Sequence, residues 1–252
     1  MGRVDEVRKH YNSSDFFDTA ANILFYVLAL SAILLATVQQ KEIKEIASTL
    51  FIVMVVLYFI VRYIPTLFFL PNAEKIRRKQ LLSNSFSLPL VHETTQDYYN
   101  NPFPPSVVRL GANTLESSLF SQRILSKMLI FERTKVTTFF ILWAGALAYK
   151  SISQEVIIII SQSIFSTEVI VRWINMELLR LKCREVYNDL YNFFLTKQDK
   201  SLQAPALVLD IFSSYECAKA AASIILTTKI FEKINPEVII EWENIKKQLN
   251  II

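Results

Sequence analysis

The chain has 252 residues, of which 52% are apolar, and its 27 Lys and Arg only slightly outnumber its 23 Asp and Glu. Its three Gly are too few for a Gly-rich phosphate loop or a dinucleotide-binding fingerprint. From two Cys and two His we expect no disulfide framework, no metal site, no cofactor and no metalloenzyme. The apolar residues are clustered, and these clusters are the most informative feature of the sequence.

The first two apolar clusters predict a membrane hairpin. Residues 19–40 form a run of 22 residues without a charge, which is enough for the roughly 20 residues that cross a bilayer. Residues 46–61 are also uncharged, and the apolar character continues past Arg62 to residue 70. Because the turn between these clusters is short and a helix cannot leave unpaired backbone groups in lipid, the two crossings must be antiparallel.

The second pair of apolar segments is shorter and more polar. Residues 136–149 are uncharged and lie between Lys135 and Lys150, whose long side chains can reach the two membrane surfaces. Residues 156–171 follow a short polar turn but include Glu168. Each segment alone is also compatible with a buried helix of a soluble core, but the repeated layout favours a second hairpin. The sequence therefore predicts an all-α integral membrane protein with four transmembrane helices.

Positive charge predicts the orientation of the two hairpins. Sixteen Lys and Arg lie near their open ends, whereas only Lys41, Lys44 and Lys150 lie in the two short turns. Lys and Arg accumulate on the cytoplasmic side of membrane proteins, so we expect both termini in the cytoplasm. The predicted organisation is an N-terminal arm (1–18), hairpin 1 (19–70), a cytoplasmic segment (71–135), hairpin 2 (136–171) and a cytoplasmic helical tail (172–252).

The cytoplasmic segment and the tail are expected to pack into one helical domain. Residues 101–106 contain three Pro and should be irregular, and a helix is predicted to begin near Asn113. In the tail, an alanine-rich helix over 205–233 is expected to precede a last helix that starts at Asn235-Pro236. Two apolar stripes at helical spacing should face the core: Met176, Leu179, Cys183, Val186, Leu190 and Phe194 in the first, and Val238, Trp242, Ile245 and Leu249 in the second.

Short motifs in the tail resemble those of a known family. They are Tyr215-Glu216, Lys219, Lys229-Ile230-Phe231, Asn235-Pro236 and Glu241-Trp242 followed by Ile245-Lys246. Together with the layout of two hairpins and a helical tail, these motifs make the chain resemble the SMODS-associated four-transmembrane effectors of bacterial antiphage defence. Among these effectors, the channel subunit of Hailong systems is similar.

The resemblance implies a function and a set of partners. It implies a pore in the bacterial inner membrane that disrupts the membrane of an infected cell and ends in abortive infection. Such effectors are encoded beside a nucleotidyltransferase, and the resemblance implies control of the pore by its nucleotide product. In Hailong systems a single-stranded DNA oligomer holds the channel shut. For this chain we therefore expect a ligand-gated homo-oligomer, with a tetramer as the expected assembly.

Polar residues in the fourth apolar segment are candidates for the pore lining, because polar groups within a membrane are costly and mark conduction paths. Several of them share one helical face, on which bulky apolar residues can form a constriction that closes by dewetting. Alternatively, Glu168 and Arg172 form an interfacial ion pair and the serines bond backbone carbonyls. The predicted pore-lining residues are Gln154, Ile158, Ser161, Phe165, Glu168 and Arg172.

Cations beside aromatic residues are candidates for binding an anionic ligand. Single-stranded nucleic acid binds to positive charge and stacks its bases on aromatic side chains. The cluster at 77–79 is also explained as an anchor of the second crossing, and the aromatic residues are also explained as packing against the core. The predicted ligand-binding residues are Arg77, Arg78, Lys79, Tyr98, Tyr99, Arg109, Arg123 and Lys127.

No catalytic site is expected, because His10 and His92-Glu93 have no nucleophile and no oxyanion turn at a suitable spacing. Two other functions compete with the pore. A non-conducting, membrane-anchored adaptor would bind a protein partner through its cytoplasmic helices. A small transporter would need Gly- or Pro-interrupted crossings, and only Gly145 lies in the third segment.

Overall fold

Helices form almost all of the described backbone. The computed structural model describes residues 4–5, 9–92, 95–96, 99, 101–149, 152–164 and 167–251. Within these residues the prediction of an all-α fold is confirmed, apart from a two-residue antiparallel pairing of β1 (Val4–Asp5) with β2 (Thr95–Gln96). The helices in chain order are α1 (Lys9–Thr37), α2 (Lys41–Ile64), a π-helical turn (Pro65–Phe69), α3 (Leu70–Phe86), α4 (Val107–Ala148), α5 (Gln154–Ile164), a second π-helical turn (Thr167–Val171), α6 (Arg172–Leu195), a 3₁₀ turn (Gln198–Lys200), α7 (Ala204–Ala222) and α8 (Thr228–Leu249).

One end of the molecule is a bundle with an apolar surface, formed by α1, α2, α5 and the C-terminal end of α4. We call this part the apolar bundle. In the described part of the chain, three helical segments are long and apolar enough to cross a membrane: Lys9–Thr37, Lys41–Phe86 and Gln154–Leu195. No residue of α2 is buried. Because apolar helices in water normally bury one face, this surface fits a lipid environment.

The predicted third crossing, residues 136–149, does not form a separate helix. It is the last part of α4, which begins at Val107 and is 42 residues long. This helix is not among the three segments that meet the length and hydropathy of a membrane span, because its uncharged stretch follows directly after Glu132, Arg133 and Lys135. The structure therefore supports three candidate spans, and a fourth remains a prediction.

The other end of the molecule is a helical domain with a conventional apolar core. It consists of α3, α6, α7, α8 and the N-terminal part of α4, and we call it the core domain. The central helix is α4, which packs against α3, α6, α7 and α8. All the residues of the two predicted apolar stripes, on α6 and α8, are buried in this core. These two predictions are confirmed.

The predicted start of α4 is wrong by six residues. The helix begins at Val107 rather than near Asn113, because Ser106 is an N-cap whose hydroxyl oxygen accepts a hydrogen bond from the backbone N–H of Arg109 at 3.1 Å. Such a cap satisfies one of the N–H groups that the first turn leaves without a helical partner. The stretch 101–106 before it is irregular, as predicted.

The predicted boundary between the last two helices is also wrong. The helix α7 ends at Ala222, because Ser223 adopts the left-handed conformation with φ of 50° and donates its N–H to the carbonyl of Lys219. The helix α8 then begins at Thr228, so that Pro236 lies inside it. Proline in a helix costs about 3 kcal/mol, and burial of Val238 and Trp242 on the same helix opposes that cost.

Two π-helical turns lie where the apolar bundle meets the core domain. One joins α2 to α3 and the other joins the α5 segment to α6. In the first, Pro65 has no N–H to donate to the carbonyl of Val61, and the helix widens at this point. Two helices therefore continue from the apolar bundle into the core domain, each with a π-helical turn at the junction.

Candidate functional site

Six ionisable residues meet at the junction between the apolar bundle and the core domain. They come from α1, α2, α4, the second π-helical turn and α6, and three carry positive and three carry negative charge. Each lies at or near the end of an apolar segment at which its hairpin is open. We call them the ionic ring: Asp18 of α1, Arg62 of α2, Glu132 and Lys135 of α4, Glu168 of the second π-helical turn and Arg172 of α6.

Asp18 is held by two arginines from two other helices. Its carboxylate accepts both guanidinium N–H groups of Arg172 in a bidentate pair, at 2.8 and 2.9 Å. Arg62 donates to the same carboxylate at 2.7 Å. Bidentate, charge-assisted hydrogen bonds fix the relative orientation of both groups, so the helices α1, α2 and α6 are fixed against one another at this point.

The remaining contacts close the ring through α4. Arg62 also contacts the Glu168 carboxylate at 2.5 Å, and Arg172 contacts Glu132 at 3.2 Å. Lys135 pairs with Glu132 at 2.5 Å and donates to the backbone carbonyl of Glu168 at 3.0 Å. Each of the six residues therefore contacts at least two others, and no single contact can be lost without affecting its neighbours.

Four of the six ring residues are buried although they are charged, and Asp18 and Arg62 are partly exposed, with 18% and 19% of their side chains accessible. Glu168 is 1% exposed and Arg172 is 7% exposed. Removing one member of a buried ion pair typically costs about 3–5 kcal/mol, because the partner is left as an uncompensated charge. A movement of one helix away from the ring would leave several such charges at once, so separation of the ring is costly.

A second polar cluster lies below the ring and joins α3 to α7. Nη2 of Arg77 donates to both carboxylate oxygens of Glu216, at 2.6 and 2.7 Å, and Nε of Arg77 donates to Glu74 at 2.7 Å. Glu74 accepts from the Tyr11 hydroxyl of α1 at 2.9 Å and contacts Lys219 at 3.2 Å. Burial, together with the neighbouring Arg77 guanidinium, lowers the pKa of Lys219. This α3–α7 cluster connects the helix that leaves the apolar bundle to the tail.

The predicted pore-lining residues fall into two groups. Gln154 and Ile158 are exposed on α5, whereas Glu168 and Arg172 are buried in the ionic ring. Ser161 accepts from the indole N–H of Trp143 at 2.9 Å and donates to the carbonyl of Ile157 at 2.7 Å. Phe165 lies outside the described residues.

The alternative interpretation of these residues was right for the serine hydroxyls and incomplete for the charges. Ser161 and Ser163 both donate to backbone carbonyls of their own helix. Glu168 and Arg172 do form ion pairs, but with Arg62, Asp18 and Glu132 of other helices. Their role in a pore lining stays a prediction.

The predicted ligand-binding residues do not form one patch. Arg77 is held in the α3–α7 cluster, and Arg123 of α4 forms a two-bond ion pair with Glu241 of α8, which raises the pKa of Arg123. Arg109 lies beside Asn84 and Ser87 at 3.4 Å. The remaining residues are placed as follows: Arg78, Lys79 and Lys127 are exposed, Tyr99 is partly buried beside Ser117, and Tyr98 lies outside the described residues.

Two concave regions accompany these clusters. A groove of about 720 Å³ runs between α1, α2 and α5, with Lys44 and Glu155 at one end and Tyr58 at the other. Tyr58 precedes Arg62 by one helical turn, so the groove ends beside the ionic ring. A second cavity of about 90 Å³ lies beside the α3–α7 cluster and is lined by both Arg77 and Tyr99. It is too small for a nucleotide in this conformation.

Sequence reasoning found only part of the ionic ring. It selected Glu168 and Arg172 but treated Arg62 and Lys135 as charges that set orientation, and it assigned no role to Asp18 or Glu132. The signal was present, because carboxylates as well as Arg and Lys lie near the open ends of the two hairpins. Charges that only set orientation would be positive.

Comparison of the chain with protein-family models, with curated proteins and with solved structures gives no match.

Proposed function

We propose that this protein is a homo-oligomeric membrane pore that is opened and closed from its core domain. The observation that supports it is the ionic ring. Buried charges within or at the edge of a membrane are costly, and where they occur they mark ion pathways, proton relays or gating elements. A helical bundle that only anchors a domain needs apolar helices and no ring of six charges.

The depth of the ring supports a bundle of four crossings. A hydrocarbon core of about 30 Å corresponds to about 20 helical residues. Counted from the opposite end of each apolar segment (residues 40, 46, 149 and 156), that length places Arg62, Glu132 and Arg172 about two to three residues inside the membrane boundary and Asp18 about three residues outside it. The four segments therefore place their ring residues within about 4.5 Å of the same membrane boundary.

The length of about 20 residues per crossing is also compatible with α4 as the fourth crossing. A span of about 20 residues that ends at Ala148 includes Glu132, Arg133 and Lys135. Glu132 and Lys135 are neutralised inside the ring, and Arg133 pairs with Glu177 at 2.6 Å near the proposed membrane surface. Charges in membrane helices are tolerated when they are paired or face the bundle interior. We place both termini and the core domain on the cytoplasmic side, where Lys and Arg accumulate.

The conducting path is placed along the exposed face of α5, at the axis of the oligomer. Gln154 and Ile158 are exposed on this face, and copies arranged around an axis would bring their Ile158 side chains together as an apolar constriction. Separation of the ring would release α5 and α6 from α1 and α2, and the constriction would widen as the helices tilt.

The resemblance to antiphage effectors supplies the biological part of the proposal. The pore would act in abortive infection in a bacterial inner membrane, under the control of a nucleotide or single-stranded DNA oligomer made by a partner nucleotidyltransferase. Arg78, Lys79 and Lys127 are exposed cations of the core domain and are available for phosphate groups. Arg77 and Arg123 would first have to leave their carboxylate partners.

Ion flux into liposomes tests this function. Purified protein is reconstituted and potassium efflux is measured for the wild type, Ile158→Asn and Leu142→Asn. Leu142 of α4 is as exposed as Ile158 and serves as the matched control. We expect Ile158→Asn to raise the flux several-fold and Leu142→Asn to leave it unchanged.

Two results would contradict the proposal. Flux at the level of empty liposomes in all three proteins would favour the non-conducting adaptor. Equal effects of both substitutions would remove α5 from the conducting path. Absorbance near 260 nm that nuclease removes from the purified protein would identify the ligand as an oligonucleotide.

A further inference from the structure

The helix α6 has a second apolar stripe, on the side opposite to the core. Its core-facing side includes Met176 and Leu179, which are buried. The other side presents four large apolar residues at spacings of three, four and three. They are Val171, the last residue of the second π-helical turn, followed by Ile174, Leu178 and Leu181 of α6, with 41%, 42%, 58% and 49% of their surface exposed.

Lipid covers only the first part of this stripe. If the fourth crossing begins at Val156, a hydrocarbon core of about 30 Å ends near Asn175. Leu178 and Leu181 then lie about 4.5 and 9 Å beyond the hydrocarbon. Neighbouring apolar side chains on a helix in this position mark a surface that contacts another protein.

The spacing of the stripe is that of a coiled-coil seam. With Val171 and Leu178 at a positions, Ile174 and Leu181 fall at d positions of the heptad. The seam ends after Leu181, because the next a position is the exposed Glu185. A seam this short is too weak to hold isolated helices together, but helices inserted in one membrane in the same orientation are already parallel.

The charges beside the seam favour a second copy of the same chain as the partner. In a parallel coiled coil, a g residue of one helix meets the e residue of the next heptad on the other helix. Glu177 at g would face Lys182 of another copy, and Arg184 at g would face Asp189. Glu177 and Lys182 already form partly exposed pairs within the chain, which are worth little and can be exchanged.

We infer that α6 forms a parallel seam between copies of this chain, directly below the membrane. This inference rests on the proposed function, because it requires copies inserted side by side, and it identifies the surface through which they assemble. The seam lies on the helix that continues from α5 through the ionic ring. Assembly at the seam would therefore hold the α5 faces of neighbouring copies around one axis.

Disulfide trapping in native membranes tests the seam. Cys217→Ser removes the exposed cysteine and leaves the buried Cys183. Leu178→Cys and Leu181→Cys are then introduced singly, with the exposed Leu209→Cys of α7 as the matched control. After oxidation we expect several-fold more disulfide-linked dimer at the two seam positions than at the control position.

A charge exchange tests the register of the seam. In the Leu178→Cys background, Arg184→Asp should lower the dimer yield, because it places two carboxylates against each other. Adding Asp189→Arg should restore the yield. A dimer yield at Leu178→Cys and Leu181→Cys equal to that of Leu209→Cys would overturn the inference, as would trapping of a different protein at these positions.

The flux assay separates this inference from the proposed function. Disulfide trapping at the seam in a protein that shows no potassium flux would support the seam and contradict the pore. Potassium flux in a protein that shows no trapping would support the pore and contradict the seam.

Discussion

In the core domain, Leu190 and Trp242 are no more than 2% exposed, whereas in α2 Ile52 and Val53 are at least 60% exposed. Both regions bury some charge, since Lys219 of the core domain is 8% exposed and Glu168 of the ionic ring is 1% exposed. The core domain follows the rule for proteins in water, with an apolar interior. The apolar bundle exposes large apolar side chains and has its buried charges at the junction with the core domain, an arrangement that fits a lipid environment.

The two regions are joined by three helical connections. The helix α4 runs through both, and the continuous segments from α2 to α3 and from α5 to α6 pass from one to the other. The ionic ring lies where the burial rule changes. These helical connections therefore pass beside the ring.

The largest expected effect comes from breaking the ring itself. Arg172→Leu leaves Asp18 and Glu132 without their shared partner, and we expect a loss of about 3–5 kcal/mol in the free energy of unfolding. Thermal unfolding in detergent measures it. Arg180→Leu on the same helix removes only a partly exposed pair with Glu177 at 3.2 Å, for which about 0–1 kcal/mol is expected.

Equal losses for these two arginine variants would mean that the ring stabilises the fold no more than a surface ion pair does. In that case the charges of the ring would contribute no more to stability than exposed charges of the core domain.

A smaller effect is expected from placing a charge on the outer surface of the apolar bundle. Val53 lies near the middle of α2 and is exposed, so Val53→Lys should oppose membrane insertion by about 2.5–3.5 kcal/mol. The fraction of protein recovered in the membrane measures this effect. Leu209→Lys on the exposed side of α7 should leave that fraction unchanged.

This pair of substitutions tests whether the surface of the apolar bundle lies in lipid and that of the core domain in water. If Val53→Lys is as well tolerated as Leu209→Lys, the surface of α2 lies in water, and its exposed apolar residues need another explanation.

The sequence predicts these two regions unequally. The apolar runs predict α1 and α2, and the stripes on α6 and α8 predict the core, because both depend on residue type and helical period. The start of α4 and the end of α7 depend on the conformations of Ser106 and Ser223, which many serines in a sequence could adopt. The identity of a single serine is therefore not enough to predict where a helix begins or ends.

The candidate site was predictable in its composition but not in its connections. The open ends of both hairpins carry charges of both signs, which indicates that these charges can meet. The pairing of Asp18 with Arg172 spans 154 positions of the chain, and it depends on how four helices pack. Helical periodicity predicts on which face of its own helix a residue lies, but it does not predict which other helix packs against that face.

The smallest expected effect concerns α4, the helix that belongs to both regions. Ser106→Ala removes the N-cap of this helix, and we expect the free energy of unfolding to fall by about 1 kcal/mol. Ser106→Gly should lower it by only a few tenths of a kcal/mol. Ser126→Ala is the matched control, because the Ser126 hydroxyl bonds the carbonyl of Gln122 within the same helix and contributes little to stability. Chemical denaturation monitored by helix content measures all three variants. If Ser106→Ala and Ser126→Ala are equally stable, the cap does not determine where α4 begins, and packing of the first turn against the core domain determines it instead.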